Sequence, residues 1–477
     1  MIRGNAIAIE LKGDGRQAVF LELAAAIVTE IERGRLKPGD PLPGTRGLAR
    51  SLGLNRNTVD AAYHELLMQG WLVAEPSRGT FVAHDLPELS AAAGRGRRAV
   101  PVETRATTPR PTINFCDGSP DPRLLPSADL ARAFRRALAA PAFLAAGSYG
   151  DVRGSPALRQ ALAGYLGDER GLVISADEVL VTRGSQMALF LAASAALEPG
   201  QTIAVEVPGY PLAWAAFRAA GARIVGIPVD GGGLDIGRLS ELALSEPGLK
   251  AVYATPHHQY PTTVTLGAGR RLKLMEIARR HGLTVIEDDY DHEYRFDGRP
   301  VLPLAARADQ ELRVVYVGSL SKLLAPGIRV GYAVASGALL QRMADRREAI
   351  DRQGDQPLEQ ALAALIEDGT MRRHARKARR IYAERRACLA GLLTEALGDK
   401  VSFTVPAGGL ALWLRLEQGL SAESWAGKAA ALGLSVMPGI RFALDPANPP
   451  EAFRVGFGSL NATELKHAVE LLASACP

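Results

Sequence analysis

Arg313-Val-Val-Tyr-Val-Gly-Ser-Leu-Ser-Lys-Leu-Leu-Ala-Pro-Gly-Ile-Arg-Val-Gly-Tyr332 is the stretch from which the fold of this chain is read. Residues 314–317 form a short continuous apolar, β-rich run, the pattern of a strand buried on both faces. Lys322 follows Ser319 and Ser321, and Arg329 lies further along, so an amine, two hydroxyls and a guanidinium converge on the turn after that strand. A buried lysine loses proton affinity and its amine becomes available for a Schiff base, while arginine and serine hold phosphate oxygens well. The set suits an aldehyde that carries a phosphate. A lone Ser-x-Ser-Lys is more often a surface loop, so the reading depends on what stands elsewhere in the chain.

Working outward, the strand at 178–182 leads into Arg183-Gly184-Ser185-Gln186 and a helical run at 187–197. Glycine lets a phosphate approach the backbone, and the free amides of a helix start hold it. The strand at 203–207 leads to Pro208-Gly209-Tyr210, and the strand at 283–286 ends in Glu287-Asp288-Asp289-Tyr290-Asp291. Such a carboxylate cluster can bind a metal or be solvated; beside a pyridine nitrogen it keeps the ring protonated and an electron sink. From residue 112 onward strand-like and helical segments alternate, which predicts an α/β domain with a mainly parallel sheet and a ligand site beyond the carboxyl ends of its strands.

The 313–332 stretch resembles the lysine motif of the fold-type I pyridoxal-phosphate enzymes, the aspartate-aminotransferase-like group, and further matches extend over 112–477. The resemblance implies a large aminotransferase-like domain with a small C-terminal subdomain, and pyridoxal 5'-phosphate held on Lys322 as a Schiff base. It implies a phosphate cup of Gly184, Ser185 and Gln186 with Ser319 and Arg329, and Tyr210 stacked on the ring. Asp288 would face the pyridine nitrogen and Tyr290 the ring oxygen; residues 255–262 would lie beside the ring, with Thr263 where the family commonly has glycine. Tyr149, in Tyr149-Gly150-Asp151, would reach the phosphate of a neighbouring subunit. Arg454, in Phe453-Arg454-Val455-Gly456-Phe457, would fork a substrate α-carboxylate. No metal is expected.

The N-terminal part reads differently. An amphipathic helix is predicted at 17–33, stopped by Gly34, then a short helix at about 45–52 closed by Gly53, then a third helix capped by Asn55 with Val59, Ala62, Tyr63 and Leu66 on its buried face. Two short helices meeting at a glycine turn have helix-turn-helix spacing. Residues 71–74 and 79–82 alternate as two strands of a wing. Residues 16–83 resemble the winged helix of the GntR superfamily of bacterial regulators through Gly-x-Leu-x-Pro-Gly, Leu-Pro-x-x-Arg, Arg-x-Thr-Val and Arg-Gly-Thr-x-Val, with Gly44 where the family usually has serine. That resemblance implies DNA contacts by Arg46, by Arg56, Asn57 and Thr58, and by Arg78 and Gly79 at the wing tip. Helix starts and arginines suit phosphates, and early recognition-helix side chains reach base edges.

The expected domains are a winged helix at 16–84, a flexible basic linker at 85–111 and the aminotransferase-like domain at 112–477. The basic run at 371–386 reads as a solvated helix face. With 477 residues, 47% hydrophobic and 22% charged, the chain has an ordinary globular composition; it has no apolar stretch of membrane-span length and no signal-peptide core, which predicts the cytoplasm. Cys116, Cys388 and Cys476 are too few and scattered for a disulfide framework or a zinc site. A net charge of +5 permits nucleic acid without demanding it.

Winged helix, linker and aminotransferase-like domain in this order resemble the MocR subfamily of transcriptional regulators. The resemblance implies a pyridoxal-phosphate-dependent regulator that binds double-stranded operator DNA and senses an amine or amino acid, working as a head-to-tail homodimer with swapped winged domains. An active aminotransferase with an appended DNA-binding domain, and a sensor of pyridoxal phosphate itself, are the alternatives.

Overall fold

A computed structural model describes residues 9, 18–86, 113–115, 118–145, 149–298, 301–309 and 311–477. The expected start of the winged domain at 16, and the linker of 85–111 beyond Asp85 and Leu86, lie outside the described residues. The chain divides into two compact units, Met1–Thr107 and Thr108–Pro477.

In the first unit, helices Val19–Glu32, Thr45–Leu52 and Arg56–Met68 bury Leu23, Ile27, Ile31, Leu48, Val59 and Leu66 against one another. Gly53 ends the second helix with φ 68°, a left-handed turn that a side chain would strain. Two residues on, the Asn55 side chain accepts from the Asn57 N–H at 2.9 Å and starts the third. The wing is an antiparallel hairpin of Leu72–Glu75 and Gly79–Val82. Its first strand begins one residue later than predicted because the Trp71 N–H closes the preceding helix end on Leu66 O (2.9 Å).

The second unit is built on an eight-stranded sheet. Across the sheet the order is Val179–Thr182, Gly331–Val334, Val314–Ser319, Thr284–Asp289, Leu249–Ala254, Thr202–Val207, Arg223–Asp230 and Gly233–Leu234. The four neighbouring pairs from Val314–Ser319 to Arg223–Asp230 are parallel, and the remaining pairs are antiparallel. The central strands Thr284–Asp289, Leu249–Ala254 and Thr202–Val207 are buried over nearly their whole length, with only Val207 and Lys250 half-buried, which accounts for their mainly apolar runs. The 28-residue helix Thr370–Leu397 leads to a smaller four-stranded sheet of Val401–Ser402, Ala411–Leu416, Ala452–Gly456 and Met437–Pro438, packed on a core that includes Leu412, Trp425, Phe453 and Leu465.

Two strands of the large sheet run past their predicted ends, Val314–Ser319 by two residues and Thr284–Asp289 by three. Thr284–Asp289 continues through Glu287, Asp288 and Asp289, which pair with Tyr316, Val317 and Gly318 of the parallel neighbour. Carboxylates persist in this interior because each has donors. Glu287 accepts from the Leu304 and Ala305 N–H groups (2.8 and 2.9 Å), Asp288 from the Tyr253 hydroxyl (3.0 Å) and Asp289 from the Tyr316 hydroxyl (2.7 Å).

Candidate functional site

The ends of these strands open on a cavity of about 180 Å3 lined by Lys322, Ser185, Tyr210, Asp288, Tyr290 and Arg329, together with Ser319, Ser321, Tyr253 and Tyr260. Seven residues expected at the cofactor from separate stretches of sequence therefore share one wall: Lys322, Ser185, Tyr210, Asp288, Tyr290, Ser319 and Arg329. The Lys322 peptide is fixed from behind, its carbonyl accepting from the Tyr294 hydroxyl (3.0 Å), while its Nζ reaches towards Gly118 O (3.4 Å).

Beside Ser185 in this wall, Gly184 has φ 75° and precedes helix Ser185–Ala196, which starts two residues earlier than predicted and so brings a helix start to the cavity. Space is tight: a Cβ on Gly331 would sit 2.6 Å from the Gly184 carbonyl carbon, so strand and helix start meet there only as glycines. The Arg329 guanidinium donates to Arg183 O at 2.8 Å, and Ser319 Oγ accepts from the Ser321 N–H at 3.1 Å. Gln186 does not line the cavity; its amide donates to Leu212 O (2.7 Å).

Also in this wall, Asp288 is held by Tyr253 through one oxygen, and its Oδ1 has no hydrogen bond among the described residues. Burial above all pushes this carboxyl up to about 7, with Asp289, Asp291 and Glu206 adding to the rise and the Tyr253 hydrogen bond opposing it. A buried acceptor without a donor fits a pyridinium N–H, and the helix start with Arg329 fits a phosphate. The residues therefore fit pyridoxal phosphate.

Arg454 is 1% exposed. Its guanidinium lies over the Tyr260 ring at 4.4 Å and donates to Pro261 O at 2.9 Å; Tyr260 lines the cavity and Arg454 does not. Tyr290 donates to His258 O (3.0 Å). Thr263 takes φ 66°, the left-handed conformation that glycine adopts freely. Tyr149 lies outside this cavity: it is 67% exposed, with the Arg352 guanidinium 4.2 Å above its ring.

Sequence reasoning missed the support behind these groups. Tyr253, inside a buried strand, carried no signal beyond β-propensity, yet it is the donor to Asp288. Asp289 is a second hidden centre. Burial would raise it, but His292 at 2.8 Å and the Arg170 guanidinium hold it well below the usual carboxylate range. His257 stacks on His292 (centroids 4.5 Å apart, 24° between planes) and burial drives it down to about 2, so its ring is neutral. His257, Asp289 and His292 lie close enough to hold a cation, but nearly parallel rings point their in-plane lone pairs side by side, and Arg170 stands 3.7 Å from Asp289.

In the first unit, Arg56, Asn57 and Thr58 open the helix Arg56–Met68 and are partly or fully exposed, with Arg56 Nε 3.4 Å from Asp60. Arg46 is exposed at the start of Thr45–Leu52. At the wing, Ser77 (φ 66°) and Gly79 (φ 122°) make the turn, and Arg78 pairs with Glu75 and lies 5.5 Å over the Phe81 ring. These positions form the exposed start of the second helix, the start of the third and the wing tip of one winged helix-turn-helix.

Comparison with known proteins agrees with both halves. Residues 110–472 match the aminotransferase class I and II family, and residues 21–82 match the gntR family of bacterial regulatory proteins. The chain is 31% identical to the probable rhizopine catabolism regulatory protein MocR of Rhizobium meliloti, over 98% of this chain and 95% of that one. It is 31% identical to the pyridoxine biosynthesis transcriptional regulator PdxR of Corynebacterium glutamicum, over 79% of this chain and 78% of that one. Among solved structures, the α-aminoadipate aminotransferase LysN of Thermus thermophilus, complexed with N-(5'-phosphopyridoxyl)-L-leucine, matches with a TM-score of 0.70 and 29% identity over 76% of this chain and 91% of that one.

Proposed function

The chain belongs to the MocR-type regulators, a gntR-family winged helix joined to an aminotransferase class I and II domain, and from that premise we propose that its pyridoxal phosphate pocket reads an amino acid. It is a pyridoxal-phosphate-dependent transcriptional regulator, and its winged helix binds DNA. When bound, pyridoxal phosphate supplies an aldehyde that condenses with amines. Lys322 would supply the resident amine, Arg329 and the start of Ser185–Ala196 would hold the phosphate, and Asp288, whose Oδ1 lacks a donor among the described residues, would accept from the protonated ring nitrogen. Tyr210 and Tyr260 wall the pocket.

The observation that carries the amino-acid reading is Arg454, a buried guanidinium stacked on Tyr260, a residue that lines the lysine cavity. A guanidinium there is matched to a carboxylate, which distinguishes an amino acid from a simple amine. A ligand acts as a signal only if it binds two states of the regulator unequally. The reading adopts a homodimer with paired DNA half-sites, contacted by Arg46, Arg56, Asn57, Thr58, Arg78 and Gly79.

The test is an absorbance titration of the cofactor-loaded protein with a panel of amino acids and of the matching amines that lack the carboxylate. One amino acid is expected to shift the cofactor band without release of a keto acid, and Arg454→Met is expected to weaken that response while sparing the matching amine. Equal loss for both ligands would remove Arg454 as the carboxylate reader. Two further readings each have a similarity behind them. Steady keto-acid production would favour an aminotransferase, in line with LysN. A DNA response to the cofactor alone would make pyridoxal phosphate the signal, in line with PdxR.

A further inference from the structure

The basic run at 371–386 does not behave as one solvated face. Arg385 pairs with Asp121 (2.7 Å), Arg386 with Asp297, and Arg372 with Glu169 (2.9 Å) and Asp168. Arg376 and Arg379 form no ion pair among the described residues. With Arg372 they stand at helical spacings of four and three, which places them on one side of Thr370–Leu397. That side closes a second cavity, of about 200 Å3, whose wall also contains Arg295, His292 and Tyr165.

Several waters at about 30 Å3 each would fill such a space, and so would a phosphate-sized anion. Its wall is strongly cationic. Arg295 is half-buried, and its Nε and Nη1 make no hydrogen bond among the described residues. His292 is 6% exposed; its Nδ1 lies 2.8 Å from Asp289, and its Nε2 also has no hydrogen-bond partner among the described residues. The two acidic residues in the wall are already engaged, Glu169 with Arg372 and Glu293 with Arg170. Three guanidinium groups thus share a concave wall without an ion pair among the described residues, Arg376 and Arg379 exposed and Arg295 half-buried, within electrostatic reach of Asp297. Crowded like charges at a partly desolvated surface are costly, and an anion accepting from several guanidinium groups relieves the crowding.

We propose that this cavity is a binding site for a small phosphate-bearing anion, distinct from the cofactor pocket and formed by Arg295, Arg376 and Arg379. Arginine forks take the anionic oxygens, and His292 stands beside them as a partner for a proton that the phosphate retains. A regulator with such a site has an input besides the one proposed at Lys322.

The experiment is calorimetric titration of the full-length, cofactor-loaded protein with inorganic phosphate and with pyrophosphate at constant ionic strength. Loading the cofactor first keeps its own phosphate cup occupied. Saturable binding with one site per chain is expected, weakened about tenfold or more in the Arg376→Met, Arg379→Met double variant. The Arg373→Met, Arg380→Met double variant removes equal charge from exposed positions of the same helix outside the cavity wall, and it should bind as the parent does. Absence of saturable binding, or equal weakening in both double variants, would overturn the site. So would a loss of duplex DNA affinity in the 376/379 variant when neither free anion binds.

Discussion

At the scale of single residues, the cofactor pocket combines local signals with long-range ones. Lys322, Ser319 and Arg329 stand in one motif, and their chemistry could be read without a fold. Asp288 was legible as a carboxylate at a strand end, but its environment was not, because Tyr253 reaches it from another strand. That environment makes a prediction. The folded carboxyl keeps its proton up to about 7, against an ordinary value of 3.8, so folding takes up a proton between those limits. Its contribution to stability is fully present below about pH 4 and is lost as pH rises through about 7. Cofactor-free Asp288→Asn should therefore lose less thermal stability between pH 5 and pH 8 than the cofactor-free parent. Glu206 and Glu287, which burial raises in the same direction to about 7, leave both proteins some downward slope. Parallel pH curves would mean that Asp288 ionises freely.

Thr263 makes a second residue-scale prediction. A β-branched residue at φ 66° carries strain of about 1 to 3 kcal/mol, part of which its hydroxyl offsets by donating to Thr262 O at 2.6 Å. Thr263→Gly relieves the strain at the cost of a more flexible unfolded chain, and the net expectation is a gain of up to about 1 kcal/mol in urea unfolding. A loss of that size would show that the hydroxyl and the burial of the threonine outweigh the strain.

At the scale of elements, periodicity located helices and strands well but not their ends. Helix Thr45–Leu52 and strand Gly79–Val82 matched because a left-handed glycine and a wing turn mark their limits in the sequence. Thr284–Asp289 ran on past its apolar stretch because backbone pairing with two parallel neighbours, and donors for each carboxylate, outweighed the polarity of its last residues. Asn55 illustrates a local signal that survives folding, since its cap depends only on the Asn57 N–H two residues away. Asn55→Ala should cost about 1 kcal/mol, seen as roughly fivefold faster amide exchange in the first turn of Arg56–Met68. Asn55→Asp should keep the parent rate, and loss of protection in both variants would show that the side chain does more than cap.

At the scale of the whole molecule, the two units were distinguishable in the sequence because their patterns differ, short helices with a wing against a long alternation of strands and helices. Assembly was not legible from periodicity, and the position of Tyr149 bears on it most directly. A tyrosine expected at a cofactor phosphate stands 67% exposed and outside its own chain's cavity, which is where a residue serving a neighbouring subunit would stand. If the sites are composite, Tyr149→Ala should weaken cofactor binding although the residue touches nothing in its own pocket. Mixing Tyr149→Ala chains, which bind the cofactor weakly, with Lys322→Ala chains, which cannot hold it covalently, should then restore parent-like cofactor affinity at one site per mixed dimer. In each mixed dimer one site receives an intact lysine from one chain and an intact tyrosine from the other, while the second site receives both lesions. Recovered covalent cofactor after subunit exchange is the expected result. No recovery, with exchange verified by a size or affinity tag, would place Tyr149 outside the site and leave each chain to bind its cofactor alone.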